Sequence, residues 1–162
     1  KIKYVVLRYF NAAGANSSGT IGEKRSKRII PQIVRTFLKK QKKLIINGSD
    51  FNTTDGTCIR DFIHVEDVAN AHINSIEYLN NENESNDFNI GCGKGYSILQ
   101  ILELTKKYFN NNIDIKFCPK RFGDASRLVS SIKKAKRFLN WSPTKSGIEN
   151  IIETTIKWEK KK

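Results

Sequence analysis

Methionine is absent from all 162 residues, so position 1 is not expected to be the natural start of translation. Long hydrophobic runs are absent too, and no apolar stretch approaches the roughly 20 residues needed to span a bilayer. Lys1 to Leu7 has the basic end and apolar stretch of a signal peptide, but it lacks a small-residue cleavage site and Arg8 interrupts it. A strand is the better reading. Cysteine is scarce: Cys58, Cys92 and Cys118 are odd in number, far apart and in no C-x-x-C arrangement. With only His64 and His72 to help them, they argue against a disulfide framework or zinc site and for structural thiols in a reducing, cytoplasmic setting.

Acidic residues are also few, 16 against 29 Lys and Arg, giving a net charge of +13. Basic clusters occur at Lys24-Arg25-Ser26-Lys27-Arg28, around Lys39–Lys43, at Lys133–Arg137 and in the Lys160–Lys162 tail. Such charge attracts phosphate by counterion release. No aromatics are interleaved with the lysines to stack bases, so solvated helix faces are preferred to a nucleic-acid surface. A basic, non-catalytic module for nucleic acid or other anions remains the rival reading. Hydrophobic residues make up 38% and aromatics 10%, which is a globular composition.

The sequence alternates strand and helix signals, which predicts an α/β fold in one packed unit over residues 1–162. Ile2–Phe10 reads as a strand buried on both faces. Pro31 opens a helix with Ile30, Ile33, Val34, Phe37 and Leu38 inward. Leu44–Ile46 and Cys58–Val65 read as strands. Asp67 starts a helix with Val68, His72, Ile73, Ile76 and Leu79 inward, and Asn80–Asn86 follows as a surface loop. After strand Asp87–Ile90, Ser97-Ile98-Leu99-Gln100 is a capping box for a helix with Ile98, Ile101, Leu102, Thr105, Tyr108 and Phe109 inward. Ile113–Cys118 is a strand, Ser131 caps a short basic helix, and Ser146-Gly147-Ile148-Glu149 is a second capping box. It opens a helix with Ile148, Ile151, Ile152 and Thr155 inward.

Gly91-x-Gly93-x-Gly95 sits between a strand and a helix, as a dinucleotide fingerprint does. The spacing fails, because Tyr96 stands where G-x-G-x-x-G needs glycine. Asp114 also lies near the start of its strand, whereas the ribose-binding carboxylate belongs at the strand's end. A tight turn is the preferred reading.

Several segments together carry more information. They are Leu7–Ala15 (LRYFNAAGA) with Gly19-x-Ile21-Gly22-Glu23, and Asp55–Val65 (DGTCIRDFIHV) continuing to His72. Phe88-Asn89-Ile90-Gly91, Arg121-x-Gly123-Asp124, Lys133-Lys134-Ala135 and Leu139-x-Trp141-x-Pro143 follow in order. The set resembles the UDP-glucose 4-epimerases of the extended short-chain dehydrogenase/reductase superfamily, from Ile2 to about Trp158. The resemblance implies a C-terminal substrate-binding lobe plus late strands of a Rossmann-like sheet. It also implies that the N-terminal NAD-binding part is absent, and with it most of the NAD site.

The family's chemistry uses a tyrosine four residues before a lysine. None of Tyr4, Tyr9, Tyr78, Tyr96 or Tyr108 has one, so no catalytic residue is assigned and the chain alone is expected to be inactive. Its exposed sheet edge is expected to make it marginal or aggregating by itself. The implied activity is interconversion of UDP-glucose and UDP-galactose by an enzyme that commonly forms homodimers. Another UDP-sugar epimerase, for N-acetylhexosamine or pentose, is the alternative.

By the resemblance, Arg60 and Arg121 contact the diphosphate, which suits guanidinium's paired donors. Asp124 accepts from ribose hydroxyls, and Asn11 touches the substrate. Asp61, Phe62 and His64 are assigned structural roles. Arg28 replaces a usual Asn or His near the nucleotide, in a loop that looks short between Glu23 and Ile29. Asn47 stands where a Phe or Tyr commonly faces uracil, so a stacking surface is missing there. Leu128 aligns with a position whose bulk influences acceptance of N-acetylated sugars.

Overall fold

A computed structural model describes residues 2–82 and 84–162. Its strands are β1 (Val5–Tyr9), β2 (Asn11–Ala13), β3 (Leu44–Asn47), β4 (Ile59–His64), β5 (Asn86–Ile90), β6 (Gly95–Ser97), β7 (Ile115–Cys118) and β8 (Arg127–Leu128). Its helices are α1 (Ile29–Phe37), α2 (Val65–Glu82), α3 (Ile98–Lys106), α4 (Lys133–Phe138) and α5 (Ile148–Lys161). β1 pairs in parallel with β5, and β3 with β7. Between these pairs β4 receives β2 and β8 in parallel and β6 antiparallel.

β4 is the pivot of this arrangement because its two faces serve different cores, as the period of two along a strand requires. Phe62 joins Ile33, Phe37, Leu44, Ile46, Ile101, Ile151 and Ile152 in a core built by α1, α3, α5 and β3. Ile63 joins Ala71, Tyr78, Phe88, Ile90, Leu139 and Trp141 in a second core. The apolar stripes of α1, α3 and α5 face the first core, at the helical spacing that the sequence shows.

Ser97 caps α3 as expected: its hydroxyl accepts from Gln100 N, and Gln100 returns a bond to Ser97 N. The second expected box does not form. Gly147 is the residue before α5, and no side chain caps that helix. The Ser146 hydroxyl is taken instead by the buried carboxylate of Asp67, which also accepts from Thr144 N at 3.0 Å and Lys145 N at 2.9 Å. Asp67 is thus the third residue of α2 and a tie to the 144–146 segment, not the helix start. Ser131 likewise gives no cap to α4, whose preceding residue is Ile132. α1 starts at Ile29, two residues before Pro31, still within the first turn where a missing N–H is tolerated.

Three burial expectations are corrected. β1 is not buried on both faces: Val6 is 44% and Tyr9 46% exposed, and β5 is its only strand partner among the described residues. α2 turns Ala71, Ser75 and Tyr78 inward, with Val68 and Leu79 partly buried against the same core as expected, but leaves His72, Ile73 and Ile76 exposed. Small Ala71 and Ser75 allow close approach to the sheet, and the Ser75 hydroxyl is satisfied by Ala71 O. Tyr108 is 40% exposed and donates to Glu153. α2 also takes in residues 80–82 of the loop expected at 80–86, and β5 takes in Asn86, while Asn83 lies outside the described residues.

His64 ends β4 fully buried. Its Nδ1 accepts from Glu66 N at 3.1 Å, so the proton resides on Nε2, which donates to Thr154 Oγ1 at 3.1 Å. Gly14 lets the chain pass this ring: a Cβ there would lie 2.6 Å from it, and φ is +85°. Burial pushes the imidazole pKa below its ordinary 6.5, against the opposing pull of Glu66 and Asp67. The folded protein therefore binds fewer protons than the unfolded chain in acid, so this contribution to stability is full above 6.5 and is lost as pH falls toward the folded value. Urea unfolding should show stability declining below pH 6.5, and His64→Gln should flatten that decline. An unchanged slope in the variant would contradict the assignment.

Candidate nucleotide site

Cys58, Arg60 and Phe62 occupy alternate positions of one extended segment, so all three point the same way. They line a cavity of about 440 Å³ whose wall also includes Asn11, Arg28, Asn47, Arg121 and Asp124. Six of the seven binding positions proposed from sequence thus share one cavity. Leu128 does not line it; it stands opposite Arg60 in the β4–β8 register and is 49% exposed.

The Arg60 side chain is only 13% exposed and is held in place before any ligand arrives. Its Nη1 donates to Ala125 O at 2.7 Å and to Ile59 O at 2.9 Å, while Nη2 lies 3.7 Å from Asp124 Oδ1. Asp124 N donates to Arg121 O at 3.2 Å across a turn in which Gly123 has φ +79°. This turn brings Arg121 and Asp124 to the same wall as Arg60. Asn11 Nδ2 donates to Asp61 O at 3.0 Å, fixing the end of β2 against β4 and leaving the amide oxygen available. Arg28 is anchored on Ala12 O at 2.9 Å and on Glu23 at 3.3 Å.

Much of the remaining wall is aliphatic, from Ile29, Ile30, Pro31, Ile45, Ile46 and Ile98, with Lys27 and Gln32 as its further polar members. Among the described residues Phe62 is the only aromatic in the lining, and the neighbours of Asn47 in sequence there are Ile45 and Ile46. Cys58, Lys27 and Phe62 are lining residues that motif reasoning did not single out for binding. The signal for Cys58 and Phe62 was present as their strand alternation with Arg60. Burial pushes the Cys58 thiol above its ordinary range, against the pull of Arg60, which keeps it protonated and a poor nucleophile. The wall has one carboxylate, already facing Arg60, and no histidine or tyrosine among the described residues. This is an arrangement for binding an anion, with no proton-transfer pair of its own.

Asp61, behind Arg60, sets the local architecture. It is fully buried and accepts from Cys92 N at 2.7 Å, Gly93 N at 2.9 Å, Ser130 N at 3.0 Å and the Ser130 hydroxyl. The glycine loop after β5 therefore wraps a protein carboxylate. A Cβ on Gly91 would stand 2.3 Å from Ser130 Oγ and 2.6 Å from Asp61 Oδ2.

The sequence model of the NAD dependent epimerase/dehydratase family matches residues 1–91. The chain belongs to that family. It is 40% identical over 161 residues to a UDP-glucose 4-epimerase of Halalkalibacterium halodurans, covering 98% of this chain and 48% of the relative. It is 41% identical to that of Lactobacillus helveticus, covering 98% and 49% respectively. The fold matches a UDP-glucose-4-epimerase from Stenotrophomonas maltophila, solved with NAD and formylated UDP-arabinopyranose, at a TM-score of 0.93 and 29% identity. That match covers 99% of this chain and 48% of the other. A UDP-glucose 4-epimerase from Bifidobacterium longum, solved with NAD+ and UDP, matches at 0.90 and 31% identity, over 98% and 48%. The chain spans about half the length of the curated relatives it matches.

NAD does not fit the one loop here that resembles its cradle. The N–H groups of Cys92 and Gly93 are already spent on Asp61, so none of them faces outward to a pyrophosphate. Removing that carboxylate should be costly: Asp61→Ala leaves several buried donors unpaired and is expected to lose about 3 kcal/mol or more of stability. Urea denaturation measures this, and a loss below about 1 kcal/mol would contradict the role given to Asp61.

Proposed function

We propose that the chain is the UDP-sugar-binding, C-terminal part of an NAD-dependent UDP-glucose 4-epimerase, which interconverts UDP-glucose and UDP-galactose in nucleotide-sugar metabolism. The observation that carries this reading is the convergence of Arg60, Arg121 and Asp124 on one cavity. The charges on that wall support it. Arg28 is matched by Glu23 and Arg60 by Asp124, so Lys27 and Arg121 leave the wall with a net positive charge that suits the two ionised phosphoryl groups of a UDP-sugar. Arg60 and Arg121 grip the diphosphate, Asp124 accepts from the ribose hydroxyls and Asn11 meets the sugar. Arg28 and Asn47 border the nucleotide, and Leu128 flanks Arg60.

NAD, in this reading, is held mainly by a preceding Rossmann part of the enzyme, as expected when the Gly91–Gly95 loop is filled by Asp61. The open edge of β1 and the exposed Ile73 and Ile76 of α2 offer that part a surface to pack on. Pairing of two whole enzymes as a homodimer follows from the same resemblance. Three free cysteines support a reducing, cytoplasmic setting, and among the described residues no helix is long and apolar enough to cross a membrane.

Co-expression with the N-terminal half of the Lactobacillus helveticus relative tests the reading. The reconstituted pair should convert UDP-galactose to UDP-glucose with NAD, while the chain alone should not turn over. A folded complex that binds UDP-galactose without converting it, or turnover by the chain alone, would contradict the proposal.

A further inference from the structure

A second concavity, of about 420 Å³ and open to solvent, adjoins the nucleotide cavity where the loop before α1 meets the ends of α1 and α5. Its one carboxylate, Glu159, is 1% exposed and already matched, with Arg35 Nη1 at 3.2 Å and Lys162 Nζ at 3.8 Å. Three more cations line the same cleft without a counter-charge among the described residues: Arg25, Lys27 and Lys40. Lys40 donates to the backbone oxygen of Glu159, which satisfies a helix end but leaves its charge uncompensated.

The backbone reinforces this concentration of charge at a cost. Arg25 has φ +54°, a left-handed conformation that a residue with a Cβ rarely adopts. Strained backbone concentrates where a side chain must be aimed for a purpose. Like charges gathered in a concave wall repel one another and focus a positive potential into the cleft. An anion bearing several oxygens relieves that repulsion, and the exposed Arg25 guanidinium has all its paired donors available.

We propose that this cleft is a second anion site, separate from the nucleotide cavity, which takes phosphate or a short polyphosphate. Lys27 lines both concavities, so the two sites share a wall. Multiple charge on the ligand matters, because three uncompensated cations are present; tripolyphosphate therefore binds more tightly than inorganic phosphate.

Calorimetric titration of the full chain with inorganic phosphate and with tripolyphosphate tests this. A background of Arg60→Ala and Arg121→Ala removes the two guanidiniums proposed to hold the diphosphate in the first cavity, leaving there Arg28, which is paired with Glu23. In that background both ligands should bind saturably at one site. Adding Arg25→Glu should weaken them by about tenfold or more, whereas Lys116→Glu, on the exposed strand β7, should leave the affinity unchanged. Arg25→Gly guards against a folding artefact: it relieves the left-handed strain, so the fold should be at least as stable while affinity still falls. Absence of saturable binding in the background protein overturns the proposal. So does equal weakening by Arg25→Glu and Lys116→Glu, which would mean attraction to overall charge alone.

Discussion

The Asp61 carboxylate, fully buried and without a cationic partner in contact among the described residues, accepts hydrogen bonds from backbone N–H groups of two separate segments and from the Ser130 hydroxyl. A charge in such a place is tolerable only when its lone pairs are filled by donors. Filling them here fixes the glycine loop after β5 and the segment after β8 to the strand that carries Arg60. With β8 held against β4, the preceding turn delivers Ala125 O and Asp124 to the Arg60 guanidinium, and Arg121 to the same wall. Neighbouring residues on β4 thus divide the work: Asp61 organises the inside of the fold and Arg60 faces the cavity.

This division explains why the cavity is ready before binding. A mobile surface arginine would lose side-chain freedom on meeting a phosphate, whereas Arg60 is largely buried and oriented by two carbonyl oxygens. Its neighbouring carboxylate at 3.7 Å offsets the charge of Arg60 itself. The aliphatic wall across from it lowers the local dielectric and strengthens each charged contact.

Long amphipathic segments were legible in the sequence. The inward stripes of α1, α3 and α5 and the Ser97 cap follow from helical spacing and local hydrogen bonding alone. Short strands were not: β2, β6 and β8 have two or three residues each, too few to show a period. Ser146 looked like a cap because nothing local reveals that Asp67, 79 positions away, captures its hydroxyl. α2 was misread because its most apolar residues, Ile73 and Ile76, are exposed while alanine and serine face the sheet. The cavity residues were legible through motifs, since Asn11, Arg60, Arg121 and Asp124 come from separate parts of the chain that only the fold joins. The cleft at Arg25, Lys40 and Glu159 had no motif, and its charges read from sequence as solvated runs.

The most direct test compares binding of UDP with binding of uridine, which lacks the phosphates. The wild-type chain should prefer UDP strongly, and joint replacement of Arg60 and Arg121 by alanine should erase most of that preference while leaving uridine affinity nearly unchanged. A preference for UDP that survives the double replacement would show that these guanidiniums do not hold the diphosphate.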